Sequence, residues 1–134
     1  MDNLLIAATP TTPKVLLDST SNIFEITGES RPENTSKFYT PIFDWFNKYE
    51  SVLFFQKNHF KKSQKLILKL QFDYFNSTSA KFILDIFYLV EKMNKEGYEA
   101  EIHWYYDKQD IDMKESGEEF AKLVPYMSIK YFEF

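Results

Sequence analysis

Tyr74-Phe75-Asn76-Ser77-Thr78-Ser79-Ala80-Lys81 is the point at which one periodicity gives way to another. Upstream, Leu66, Leu68, Leu70, Phe72 and Tyr74 alternate with Lys65, Lys69, Gln71 and Asp73, the period of two expected of a half-buried strand. Downstream, Ala80, Ile83, Phe87 and Val90 recur at helical spacing until Asn94 and Gly97 close the segment. An amide and three hydroxyls stand in a row at the junction. Asn76 or Ser77 is a suitable N-cap, because a side-chain oxygen there accepts an orphan N–H of the first turn. One cap uses one such side chain, and four are present. A helix N-terminus also favours negative charge, so a hydroxyl at this place is well sited to carry a phosphate. Lys81, one turn beyond Ser77, is spaced to meet it.

Working outward, the patterning predicts strands over Leu4–Ala8, Lys14–Asp18 and Ile23–Thr27, then a helix over Thr40–Lys57. The strand over Gln64–Tyr74 and the helix over Thr78–Lys95 follow, then a strand (Glu99–Tyr106), a helix (Asp112–Leu123) and a last strand (Met127–Phe132). The polar run from Asp18 to Asn22 turns the second strand into the third as a hairpin. Pro41 suits a first helical turn, so the first helix is expected to start close to it. In Glu99–Tyr106 the residues Ala100, Ile102, Trp104 and Tyr106 share one face, and Glu99, Glu101, His103 and Tyr105 the other. A sheet covered on both sides would read as continuous apolar runs. The expected fold is therefore α/β: two layers, a mixed sheet with helices mainly on one face, and a parallel crossover from Gln64 to Tyr106.

With 134 residues the chain has room for one domain, 1–134, and one core. Fourteen Phe and nine Tyr let that core be built from rings, while three Gly and five Pro exclude a low-complexity chain. The net charge of −4 argues against a nucleic-acid partner. Without cysteine there is no disulfide, thiolate nucleophile or thiolate metal site. Leu4–Ala8 is too short for a signal peptide and Phe82–Val90 too short for a membrane span, so a cytoplasmic protein with no membrane insertion is expected. Asn34-Thr35-Ser36 and Asn76-Ser77-Thr78 match a glycosylation sequon but read better as helix starts.

The remaining candidates are weaker. His59 lies in a polar stretch and reads as solvated; His103, beside Glu101 and Tyr105 on a polar strand face, reads as a surface histidine. Asp107, Asp110, Asp112, Glu115, Glu118 and Glu119 form an acidic patch without calcium-loop spacing. Gly28-Glu29-Ser30-Arg31-Pro32-Glu33-Asn34 suits a turn and helix entry and lacks the glycines and lysine of a phosphate loop. No catalytic, cofactor or metal motif occurs. An alternative reading is a small-ligand-binding or enzymatic domain using His103, Tyr105 and the nearby acids. A nucleic-acid module using the aromatic strand face is another.

Four separated motifs carry a family resemblance. Gly28 to Asn34, Tyr74 to Ser79 leading into Asp85-Ile86-Phe87, Trp104-Tyr105-Tyr106-Asp107, and Gly117-Glu118-Glu119-Phe120 stand in the order and spacing of the SiaC family of bacterial regulatory phosphoproteins, which the chain resembles over nearly its whole length. Arg31 and the stretch Phe54–Lys62 depart from that pattern. The resemblance implies a STAS-like fold and partner switching, as in anti-sigma-factor antagonists. A Ser/Thr kinase phosphorylates a hydroxyl at the strand-to-helix turn, and a PP2C-type phosphatase removes it. Only the unmodified form engages the output partner, in known systems a diguanylate cyclase that it activates. Matched residue by residue, the acceptor is Ser77, with Thr78 as fallback, and Asn76, Thr78, Ser79, Lys81 and Asp85 form its neighbourhood and partner contact. Neither catalytic activity, nor a cofactor, nor a metal is implied.

Overall fold

The computed structural model describes residues 1–60 and 64–134, with every side chain among them except those of His59 and Phe60. The solvated role expected of His59 lies outside the described side chains. The elements are β1 (Leu4–Ile6), β2 (Lys14–Asp18), β3 (Ile23–Ser30), α1 (Thr35–Phe60), β4 (Leu66–Phe75), α2 (Ser77–Lys95), β5 (Ala100–Tyr106), α3 (Ile111–Lys122) and β6 (Ser128–Glu133). The six strands lie side by side in sequence order. β1–β2 and β2–β3 pair antiparallel, and every step from β3 to β6 is parallel. Each parallel step requires a crossover, and α1, α2 and α3 provide them in turn. The expected mixed sheet and the hairpin at Asp18–Asn22 are both present. Asp18 accepts the amides of Thr20 and Ser21, and Asn22 takes φ 57°.

All three helices cover one face. Phe24 packs on Trp45 and Tyr49 of α1, Tyr39 of α1 stacks on Phe82 of α2, and Phe87 and Phe120 close around Trp104 of β5. In α1 the buried stripe Tyr39, Ile42, Phe46, Tyr49 and Leu53 repeats at helical spacing. Each such side chain, fully removed from water, contributes about 1.5–3 kcal/mol. Among the described residues, the opposite face of the sheet carries no helix. There Leu16, Glu25, Lys69, His103 and Lys130 line up across five strands by register.

Two local features depart from expectation, and both bear on the end of the sheet where β4 meets α2. Tyr74 was expected on the inward phase of its strand, yet it is exposed and Phe75 turns inward. The cause is a β-bulge: Gly28 pairs with Phe72, but Glu29 pairs with Tyr74 and Ser30 with Phe75, so Asp73 is skipped. One extra residue reverses the alternation beyond it. Phe75 thereby joins Phe72, Trp104 and Phe120 in a ring cluster. Gly28, at φ 123°, supplies backbone that other residues rarely adopt.

The second departure is the start of α1, which precedes Pro41 by six residues. Asn34 caps it: its side chain accepts the amide of Lys37 at 3.1 Å and its carbonyl accepts that of Phe38 at 3.1 Å. Pro41 sits inside the helix but on its exposed side. The carbonyl that loses its partner, that of exposed Lys37, can therefore bond water, which reduces the penalty of an interior proline.

Candidate functional site

Because β3, β4 and β5 are parallel and each is followed by a helix, α1, α2 and α3 all begin at the same edge of the sheet. Three helix N-termini, each with positive dipole character, therefore gather there. They are capped by Asn34, Asn76 and Asp110. α3 adds Asp112 to its first turn, whereas the first turn of α2 holds no acid. The mouths of α1 and α2 are thus both left uncompensated by a carboxylate in cap or first turn, unlike that of α3.

The four polar residues at this mouth divide the work. Asn76 takes the capping role, its Oδ1 accepting the Ser79 amide at 2.8 Å, while its own N–H donates to the Ser30 carbonyl at 3.0 Å. Ser79 is fully buried. Its hydroxyl donates to the Ser30 carbonyl at 3.0 Å and accepts from Ser30 Oγ at 2.8 Å. Ser30 Oγ lies 2.7 Å from the Tyr39 hydroxyl, also fully buried. Burial pushes the Tyr39 phenol up to about 12, against the opposing hydrogen bonds to Ser30 and Ser79. Ser77 and Thr78 remain. Both are exposed, and neither hydroxyl has a hydrogen-bond partner among the described residues. Lys81 and Asp85 lie on the outer side of the same helix, exposed and without an ion-pair partner among the described residues.

Ser79, expected within the partner contact, is corrected by this geometry. It faces inward and anchors the turn, because its hydroxyl is already bonded twice. Ser30 and Tyr39 were not anticipated at all. The available signal was phase: Ser30 follows Phe24, Ile26 and Gly28 on the inward side of β3, and Tyr39 opens the apolar stripe of α1. A polar group on a core phase must find a partner inside.

The other candidates fall elsewhere. His103 is no free surface histidine: only 16% of its side chain is exposed, and its Nε2 lies 2.5 Å from Glu101 Oε2. Lys65 also contacts Glu101, and Lys130 approaches it at 3.4 Å. These three side chains roof Glu101, whose own side chain is only 4% exposed on an otherwise uncovered sheet face. Hydrogen bonding from Lys65, helped by His103 and Lys130, holds its carboxyl at about 2 against the opposing effect of burial. Tyr105 stacks on Phe132 at 4.9 Å with Lys69 over its ring. The acids of α3 belong to the other layer, because α3 packs on the Trp104 side through Phe120. His103 and Tyr105 are therefore not brought together with them. Arg31 pairs with Glu29 at 2.8 Å. Among the described residues there is no group of three metal-ligating side chains, and no helix is long and apolar enough to cross a membrane.

The fold and this end of it define a class: a small α/β module, one face of its sheet bare, whose unspent chemistry is a pair of hydroxyls at a helix mouth. The family follows from comparison. The model of the SiaC family regulatory phosphoproteins matches residues 6–134, and the chain belongs to that family. An uncharacterised protein of Pseudomonas aeruginosa (strain UCBPP-PA14) is 28% identical over 122 residues, covering 91% of this chain and 90% of that protein. The crystal structure of apo-SiaC from Pseudomonas aeruginosa superposes with a TM-score of 0.84 at 25% identity, over 98% of this chain and 99% of that one. In the crystal structure of the diguanylate cyclase SiaD with its activator SiaC, from the same species, the matching chain has a TM-score of 0.84 at 24% identity over the same shares, a likeness of fold.

Proposed function

We propose that this protein is a partner switch set by phosphorylation of Ser77, with Thr78 the only other hydroxyl of the turn that is outward. The unmodified form binds and activates an output protein, for which a diguanylate cyclase is the leading candidate because a structurally similar SiaC is the activator of one. A Ser/Thr kinase writes the phosphate and a PP2C-type phosphatase removes it. The protein itself works by contact and not by catalysis.

One observation carries this reading: capping and anchoring are discharged by Asn76 and Ser79, leaving the Ser77 and Thr78 hydroxyls exposed and unbonded among the described residues. A phosphate there adds about −1.5 to −2 charges and three acceptor oxygens. The fold accepts it, since the first turn of α2 has no acid of its own and Lys81 stands four residues on. A partner seated over Asn76, Thr78, Lys81 and Asp85 must instead desolvate or repel a dianion. Losing about 3 kcal/mol of binding weakens the complex more than a hundredfold. The fold is kept and the contact is lost.

Ser77→Asp and Ser77→Ala test this directly. Both are expected to fold and melt close to the parent protein. Calorimetric titration with the cyclase should show the Ala form binding like the parent and the Asp form failing to bind. Equal affinity of the two variants refutes the switch.

A further inference from the structure

Four of the hydroxyls at this end of the molecule are serine or threonine side chains a kinase can in principle use: Ser30, Ser77, Thr78 and Ser79. Two of them, with Tyr39, form a closed sequence of bonds whose direction follows by elimination. Ser79 Oγ has one hydrogen and donates it to the Ser30 carbonyl at 3.0 Å. It must then accept from Ser30 Oγ, 2.8 Å away. That spends the hydrogen of Ser30, so the Tyr39 hydroxyl at 2.7 Å is the donor to Ser30 Oγ. The order is Tyr39 to Ser30 to Ser79 and back to the Ser30 main chain. All three residues are fully buried, so no water competes. Burial also keeps the phenol protonated at every ordinary pH, which makes Tyr39 a permanent donor.

The chain of bonds ties three elements together. Tyr39 lies on α1, Ser30 ends β3, and Ser79 sits in the first turn of α2. The Ser30 carbonyl additionally accepts the Asn76 amide at 3.0 Å, so it fixes the cap and the third residue of the helix together. With residue 76 and residue 79 both held, the intervening Ser77 and Thr78 have one arrangement, outward. The geometry points to Tyr39, Ser30 and Ser79 as positioning residues that limit the choice of acceptor: they withhold Ser79 from the kinase and hold Ser77 and Thr78 outward in one presented arrangement. This inference rests on the phosphorylation reading above and adds to it the means by which two of the four hydroxyls are withheld and two presented.

The experiment is site-resolved phosphopeptide mass spectrometry on the full chain, incubated with ATP in a lysate of its own source cells. The parent protein, Tyr39→Phe, Ser30→Ala and the double variant are compared. A control, Val15→Ala, removes a fully buried side chain from β2, away from the turn, and is brought by choice of temperature to the same fraction folded. The parent is expected to carry its phosphate on Ser77. In Tyr39→Phe and Ser30→Ala the share on Ser79 should rise severalfold, while Val15→Ala keeps the parent distribution. The double variant removes the buried phenol hydroxyl left stranded by Ser30→Ala, so it is the more stable of the two, and it should show the same redistribution. A phosphorylated parent with an unchanged distribution in the variants overturns acceptor selection and leaves the switch standing. Equal redistribution in Val15→Ala overturns it too, as a general effect of loosened structure. A parent that takes no phosphate at residues 77 to 79 brings down both readings.

Discussion

Two polar regions of this molecule face water, and they treat their bonding capacity in opposite ways. On the bare side of the sheet, Glu101 gathers Lys65, His103 and Lys130 until the carboxylate is all but sealed. At the mouth of α2, Asn76 and Ser79 satisfy the backbone and each other's surroundings, and Ser77, Thr78 and Lys81 are left without a side-chain partner among the described residues. Both regions are rich in the residue types that a search for function picks out. The first closes on itself and serves the scaffold; the second has valence to spare. Unspent valence on a rigid frame, more than polarity or exposure, separates the candidate site from its setting.

The largest test of that contrast is in binding. Ser77→Asp should cost the output partner about 3 kcal/mol, more than a hundredfold in Kd, whereas Glu101→Gln should leave the same Kd within about twofold, as expected of surface electrostatics far from a contact. Calorimetry on both variants measures it. If Glu101→Gln loses the partner as completely, the bare face belongs to the interface and the division drawn here is wrong.

Stability should divide the other way. Glu101→Gln is expected to cost about 1 kcal/mol at pH 7, a value kept low because the lysine partners are half exposed. Ser77→Asp should gain a few tenths, about 0.3–1 kcal/mol, from negative charge at a helix N-terminus. Acid adds a second difference. The Glu101 carboxyl is depressed from an ordinary 4.5 to about 2 in the folded state. A depressed acid contributes its full stability above the unfolded value and loses it as pH falls. The parent should therefore lose this contribution progressively from about pH 4.5 to about pH 2, and Glu101→Gln should be flatter there. Urea unfolding at pH 7, 4.5 and 3 shows it. Ser77→Ala and Thr78→Ala remove no titrating group and should keep the parent slope.

How far the sequence carried these features depends on how local their causes are. The change of period at Asn76 and the face division of β5 are set by neighbours within a few residues, and both were legible. So were the SiaC motifs and the helix start at Asn34-Thr35-Ser36, although Pro41 drew the expected boundary too late. The bulge that turns Phe75 inward depends on the register between β3 and β4, which no run within β4 encodes. Ser79 looked like one more exposed hydroxyl because its partner Ser30 is 49 positions away. Glu101 alternates like any outward residue; only the register that brings β6 beside β5 shows that Lys130 helps to cover it. Local chemistry named the candidate site, and long-range pairing decided which of its hydroxyls are exposed.

The smallest effect concerns the idle cation. Lys65 and Lys130 are already engaged by Glu101, but Lys81 has no ion-pair partner among the described residues, and a phosphate on Ser77 would offer it one. In the unmodified protein, Lys81→Met should therefore change stability by no more than about 0.5 kcal/mol, as for an ordinary surface substitution. In the phosphorylated protein the same change removes an i, i+4 attraction worth about 0.2–0.5 kcal/mol. The measurable quantity is the double difference: the change in Tm on phosphorylation for the parent minus that for Lys81→Met, read at low salt, where such pairs are least screened. A positive difference that shrinks with added salt assigns Lys81 to the phosphate. A difference of zero at low salt leaves the helix dipole and the open amides of the first turn as the whole of the reception.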